Sequence, residues 1–207
     1  MNRIVLSFVF SILIVTLYGQ TKRPELKMTS EYAESEELFD LLRFEGIDYF
    51  KIKFTGGEEL KSKGYSIRIK EFKDGDLSLD TIFMDTRAFG IERFETINDT
   101  VLSFRVISKR TPDNKLKMMF NFPSFSATRE FETIITDDAY SLRNLANESR
   151  LPINYNERFY LLAYILPYDI GNGYKSYCKV GDSGEDAENW GKKYGIKHYL
   201  LFEMKIE

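Results

Sequence analysis

Two short runs of alternating side chains constrain this chain more than anything else in it. Phe50, Ile52 and Phe54 alternate with Lys51, Lys53 and Thr55, and Tyr65, Ile67 and Ile69 alternate with Ser66, Arg68 and Lys70. Successive side chains of a strand point to opposite faces, so a period of two predicts strands with one buried and one wet face. That is the habit of antiparallel sheets. Lys73-Asp74-Gly75-Asp76 then predicts a tight hairpin, because Asp-Gly accepts positive φ, with residues 77–84 returning. Further strands are expected over 101–109, over 115–122 after the Thr111-Pro112-Asp113-Asn114 turn, and over 129–136. Residues 159–166 are apolar almost throughout and read as a central strand. Gly171-Asn172-Gly173 predicts a hairpin into 174–180, and 196–206 reads as a final strand.

Helical signals are fewer. Ser30 is a candidate cap for a helix running to about Phe44, with Glu31, Glu34, Glu36 and Glu37 near its positive end and Gly46 to stop it. Asp137 or Asp138 can cap a short helix to about Asn147. Ser183 and Asp186 have the spacing of a capping box, Ala187, Trp190 and Tyr194 share a face, and Gly195 closes the turn. The expected fold is α+β: a predominantly antiparallel sheet of about nine strands, sandwich or curved sheet, with an N-terminal helix and a short C-terminal helix.

The first residues are of another kind. Met1-Asn2-Arg3 is a short positive start, residues 4–17 are almost wholly apolar, and Tyr18-Gly19-Gln20 precedes a polar stretch. This order is that of a secretory signal, and its layout resembles bacterial export signals. Fourteen helical residues reach about 21 Å, short of a hydrocarbon core of roughly 30 Å. Cleavage is expected between Gly19 and Gln20, giving residues 1–19 as signal peptide and 20–207 as a single β-rich domain. No transmembrane segment is expected after cleavage. The product is expected to be exported to the periplasm, cell surface or medium.

Composition narrows the partners. Lys+Arg number 29 against Asp+Glu 32, and the two signs are interleaved. With no basic stripe to neutralise phosphates, nucleic acid is not an expected partner. A lone Cys178 excludes an intramolecular disulfide and a CxxC zinc site.

Catalytic motifs are scarce. His198 is the sole histidine, so any Ser-His-Asp, Cys-His or His-ligated metal apparatus has to use it; mid-strand beside Tyr199, it reads as an ordinary sheet position. Asp74, Asp76, Ser78, Asp80 and Asp85 fall on EF-hand-like positions, but Leu79 replaces the required Gly and Asp85 the bidentate Glu. Asp182, Glu185, Asp186 and Glu188 form a second acidic cluster, read either as an oxygen-only calcium site or as carboxylates complementing a helix N-terminus. Asp85-Thr86-Arg87 lacks the Gly of the aspartic-protease Asp-Thr-Gly. Asp80-Thr81-Ile82 and Asp99-Thr100-Val101 resemble the acceptor of a bacterial O-glycosylation system, which implies Thr81 and Thr100 as modified residues.

Aromatics remain, with 17 Phe and 13 Tyr against one Trp. Phe120, Phe122 and Phe125, with Phe159, Tyr160 and Tyr164, either fill the core or line a ligand cavity or sugar-stacking platform. The functional expectation is a non-catalytic exported protein, without cofactor, that binds a small molecule, glycan or protein. The alternative is a carboxylate-dependent, glycan-directed and metal-assisted hydrolase.

Overall fold

The structure is a computed structural model that describes residues 26–136, 138–148, 151–177 and 184–207. Twelve strands are found among them: β1 Lys27–Glu31, β2 Ile47–Thr55, β3 Tyr65–Lys73, β4 Asp76–Asp85, β5 Val101–Arg110, β6 Lys115–Asn121, β7 Ser126–Glu132, β8 Ser141–Arg143, β9 Phe159–Ile165, β10 Tyr168–Gly171, β11 Tyr174–Ser176 and β12 His198–Ile206. They form two five-stranded sheets, ordered β1-β2-β5-β6-β7 and β4-β3-β12-β9-β8, with β10-β11 as a separate hairpin. Every pairing is antiparallel.

The sheets stack as a sandwich because each contributes an apolar stripe at every second residue. Phe50, Ile52 and Phe54 of β2, Phe104 and Val106 of β5, and Met118 and Phe120 of β6 meet Ile67 and Ile69 of β3 and Leu200, Phe202 and Met204 of β12. Phe120 and Phe202 touch across the layers with ring centroids 5.6 Å apart. A fully buried side chain of this size contributes about 1.5–3 kcal/mol, so this interface is the main source of stability.

The second sheet is covered on its other face as well. Phe72, Ala163, Ile165, Tyr199 and Leu201 pack under Ala187, Trp190 and Ile196. The alternation at 65–70 therefore does not mark a wet face: Ser66 is buried, and Lys70 is held between Glu188 and Glu203 at 2.5 and 2.9 Å. An extra residue at Leu161 shifts the β9–β12 register, turning Phe159 toward the first sheet and Tyr160 away from it.

The turns follow the local sequence signals more closely than the helices do. Asp74 and Gly75 both have positive φ, as a tight hairpin requires. Ser30, expected to cap a helix running to about Phe44, lies instead in the edge strand β1. The helix is Glu36–Phe44, and its cap is Ser35, whose Oγ accepts the Leu38 N–H at 3.1 Å. The Ser30 expectation fails because Met28 and Ser30 can extend the pairing with β2. Residues 138–147 are likewise not one helix but strand β8 and the single turn Leu145–Glu148, where Asn144 accepts the Asn147 N–H. In the C-terminal region a 3-10 stretch, Gly184–Asn189, leads into the helix Trp190–Tyr194, which Gly195 ends at φ 70°. The expected cap Ser183, Cys178 and the Gly19–Gln20 cleavage point lie outside the described residues. No helix among the described residues is long and apolar enough to cross a membrane.

Candidate functional site

At one end of the sandwich the inward stripes stop being apolar. In β2, Phe54, Ile52 and Phe50 are followed on the same face by Asp48. In β5, Leu102, Phe104 and Val106 are followed by Ser108 and Arg110. In the facing sheet, Ile67 and Ile69 of β3 give way to Glu71, and Leu200 of β12 to His198. Strand alternation thus directs an ionisable side chain from four strands into the end of one core.

His198 is 1% exposed and joins two groups. Its Nε2 donates to Glu71 Oε1 at 3.0 Å, and its Nδ1 accepts the Tyr140 hydroxyl at 2.6 Å. An ionised carboxylate has no proton to give, so Glu71 fixes the proton on Nε2. Tyr140 Oη in turn accepts the Ile134 N–H at 3.2 Å. Burial pushes the Glu71 carboxyl up, but hydrogen bonds from His198, Ser78 and Lys73 outweigh it and hold the group at about 2.

Tyr140 carries this buried pair to a cleft of about 650 Å³. Asp48, Arg110 and Tyr164 line it from the sheets, Tyr140 from just before β8, and Phe39, Leu42 and Arg43 from the helix Glu36–Phe44. Tyr140 and Tyr164 stack nearly parallel, 5.1 Å apart. Asp48 accepts a hydrogen bond from Ser108 Oγ at 3.2 Å, and no cation lies within 4.0 Å of it among the described residues. Desolvation raises its carboxyl to about 6, the Ser108 bond pulling weakly the other way. Desolvation also raises the Tyr140 phenol to about 12, so it is a proton donor at neutral pH. The cleft thus offers an Arg and a carboxyl that exchanges its proton near neutrality, while the Tyr140 proton is engaged by His198.

Of the aromatic residues nominated by sequence, Tyr164 alone is at this cleft. Phe120 and Phe122 are core residues, 0% and 3% exposed. Tyr160 lies on the opposite layer and donates to Glu188 at 3.1 Å. Phe125 packs on Phe89, Phe94 and Phe122 beside a smaller cavity of about 210 Å³, and Phe159 on Phe54.

In the acidic cluster, Asp182 and the Glu185 side chain lie outside the described residues. Asp186 accepts from Asn189 at 2.6 Å, and Glu188 binds Lys70. The EF-hand-like set is strung along a hairpin, with Asp80 engaged by Arg68 and Ser78 by Glu71. Thr81 is half-buried on edge strand β4, and Thr100 is half-buried in the turn before β5, bonded to Asp99. His198 is in a strand as expected, yet its role as the link between Glu71 and Tyr140 is not visible in its neighbours in sequence. Comparison of the chain with protein-family models, curated proteins and solved structures finds no match.

Proposed function

We propose that this protein is an exported β-sandwich that binds a small ligand in the Tyr140–Tyr164 cleft without transforming it. One observation carries the reading. A cavity within the usual 300–1,000 Å³ range gathers aromatic walls and a few convergent polar groups, which is how small-molecule sites are built. The saturated hydrogen bonding around Tyr140 supports a binding rather than a catalytic role, because its hydroxyl is committed to His198 and Ile134. Export rests on the character of residues 1–19 and is tested by mass spectrometry of the recovered protein, with Gln20 expected at the N-terminus.

The binding reading is tested by thermal shift with sugars, organic acids, lipids and calcium, followed by chemical-shift mapping. A ligand at 100 times its Kd should add about 2.7 kcal/mol. Shifts centred on Tyr140, Tyr164 and Arg110 support the cleft; shifts confined to other surfaces overturn it.

A second reading, a carboxylate-dependent hydrolase, has its own observation. Asp48 and Asp138 both line the cleft, and Lys175 binds Asp138 at 2.5 Å while Asp48 has no such partner. Two carboxyls in one cleft, with Asp48 raised by desolvation, are the residue types that acid–base pairs in glycosidases use. Turnover of aryl glycosides that disappears in both Asp48→Asn and Asp138→Asn would favour it.

A further inference from the structure

Resting on the ligand-binding reading, the charges of the cleft point to the class of ligand. Four of its charged side chains can be sorted by their partners. Arg143 is neutralised by Glu148 at 2.8 Å, and Asp138 by Lys175 at 2.5 Å. Arg43 and Arg110 have no carboxylate within 4.0 Å among the described residues. Arg110 is the more telling, because its Nε is shut off from solvent and makes no hydrogen bond there. Arg110 lines the cleft without a carboxylate of its own among the described residues, so an anion entering the cleft supplies a missing partner. The Arg110 guanidinium carbon lies 6.0 Å from the centre of the Tyr140 ring, which anchors it at the cleft.

The mouth supplies the complementary surface. Tyr32 and Phe39 line the same cleft, stand 63% and 41% exposed, and meet edge to face with centroids 6.4 Å apart. Exposed aromatic faces beside a guanidinium fit a ring on one side and an anion on the other. Asp48, the remaining charged group on the cleft wall, opposes an anion only when ionised.

We propose that the cleft binds a small ring compound bearing a carboxylate, either an aromatic acid or a sugar acid, with the carboxylate on Arg110 and the ring against Tyr32 and Phe39.

The experiment is isothermal titration of the purified protein with benzoate and glucuronate and with their neutral counterparts benzamide and glucose. Benzoate and glucuronate distinguish the two sources of the acid. At least one acid should bind, its neutral counterpart at least tenfold more weakly, and affinity should fall with added salt. Arg110→Gln should lose the acid at least tenfold. Should that variant not fold, the comparison of each acid with its neutral counterpart on the wild type still decides. Equal binding of acid and neutral partner, or undiminished acid binding by a folded Arg110→Gln, overturns the anion proposal while leaving the ligand-binding reading intact. Binding of none of the four at millimolar concentration overturns the proposal, and the broader reading then falls only if the thermal-shift survey is also blank.

Discussion

Glu71 and His198 are 127 residues apart in the chain and 3.0 Å apart in the fold, at the polar end of the sandwich core. A carboxylate held at about 2 there is stabilised by the fold relative to the open chain, where its ordinary value is 4.5.

The first prediction concerns acid. Because the folded value is depressed, the stabilising contribution is present above pH 4.5 and is lost as pH falls toward 2. Glu71→Gln should destabilise the protein at pH 7 by on the order of 1–2 kcal/mol, after allowance for partial solvent screening. The difference from wild type should shrink steadily below pH 4.5. Melting temperatures measured from pH 7 to pH 2.5 check this; a constant difference would contradict it.

Asp48 has the opposite sign. Its folded value of about 6 lies above the ordinary 3.8, so the native state favours the protonated carboxyl. The associated stability is full below pH 3.8 and is lost as pH rises through 6. Asp48→Asn keeps the shape and removes the charge, so it should raise stability at pH 8 by on the order of 2 kcal/mol and change little at pH 4. Urea denaturation at the two pH values measures it.

Gly191 is required by its neighbour rather than by its own backbone angles. A Cβ built on it would stand 2.4 Å from the Gly75 Cα, in the turn between β3 and β4. Backbone cannot swing aside as a long side chain can, so Gly191→Ala should force the Trp190–Tyr194 helix off the hairpin at a cost of about 1–3 kcal/mol. A Tm unchanged within error would refute the close approach.

The helix Glu36–Phe44 has no buried residue, so it rests on its cap and on cleft contacts. Ser35→Ala removes the acceptor of the Leu38 N–H and should weaken the helix by about 1 kcal/mol. Amide exchange should accelerate across 36–44 while the global melting temperature stays put, since the sandwich core does not depend on this element.

Much of the sandwich was legible because period-two stripes report burial directly: 50–54, 65–69 and 116–122 were placed on the core face from spacing alone. The Asp74-Gly75 turn was legible because positive φ is chemistry local to those residues. The edge strands β1 and β8 were not, since Ser30 and Asp138 look like caps until a partner strand competes for the same backbone. For the cleft, a usable signal was present. Continuing the β2 and β5 stripes by one alternation reaches Asp48, Ser108 and Arg110, polar groups where a core position is due. Continuing the β3 stripe likewise reaches Glu71, but its meeting with His198 needs β3 beside β12, and Tyr140, just before β8, carries no such mark.

The pairing of β12 between β3 and β9 also sets the order in which the molecule can be assembled. β2, β5, β6 and β7 are joined by hairpins or one excursion and can zip from nearby contacts, whereas the second sheet has a gap at its middle until a remote segment enters it. Closing so long a loop slows the encounter. The single tryptophan, Trp190, lies 5.9 Å from the Tyr199 ring of β12, so its fluorescence in a refolding experiment should change late, after most of the far-ultraviolet dichroism has returned.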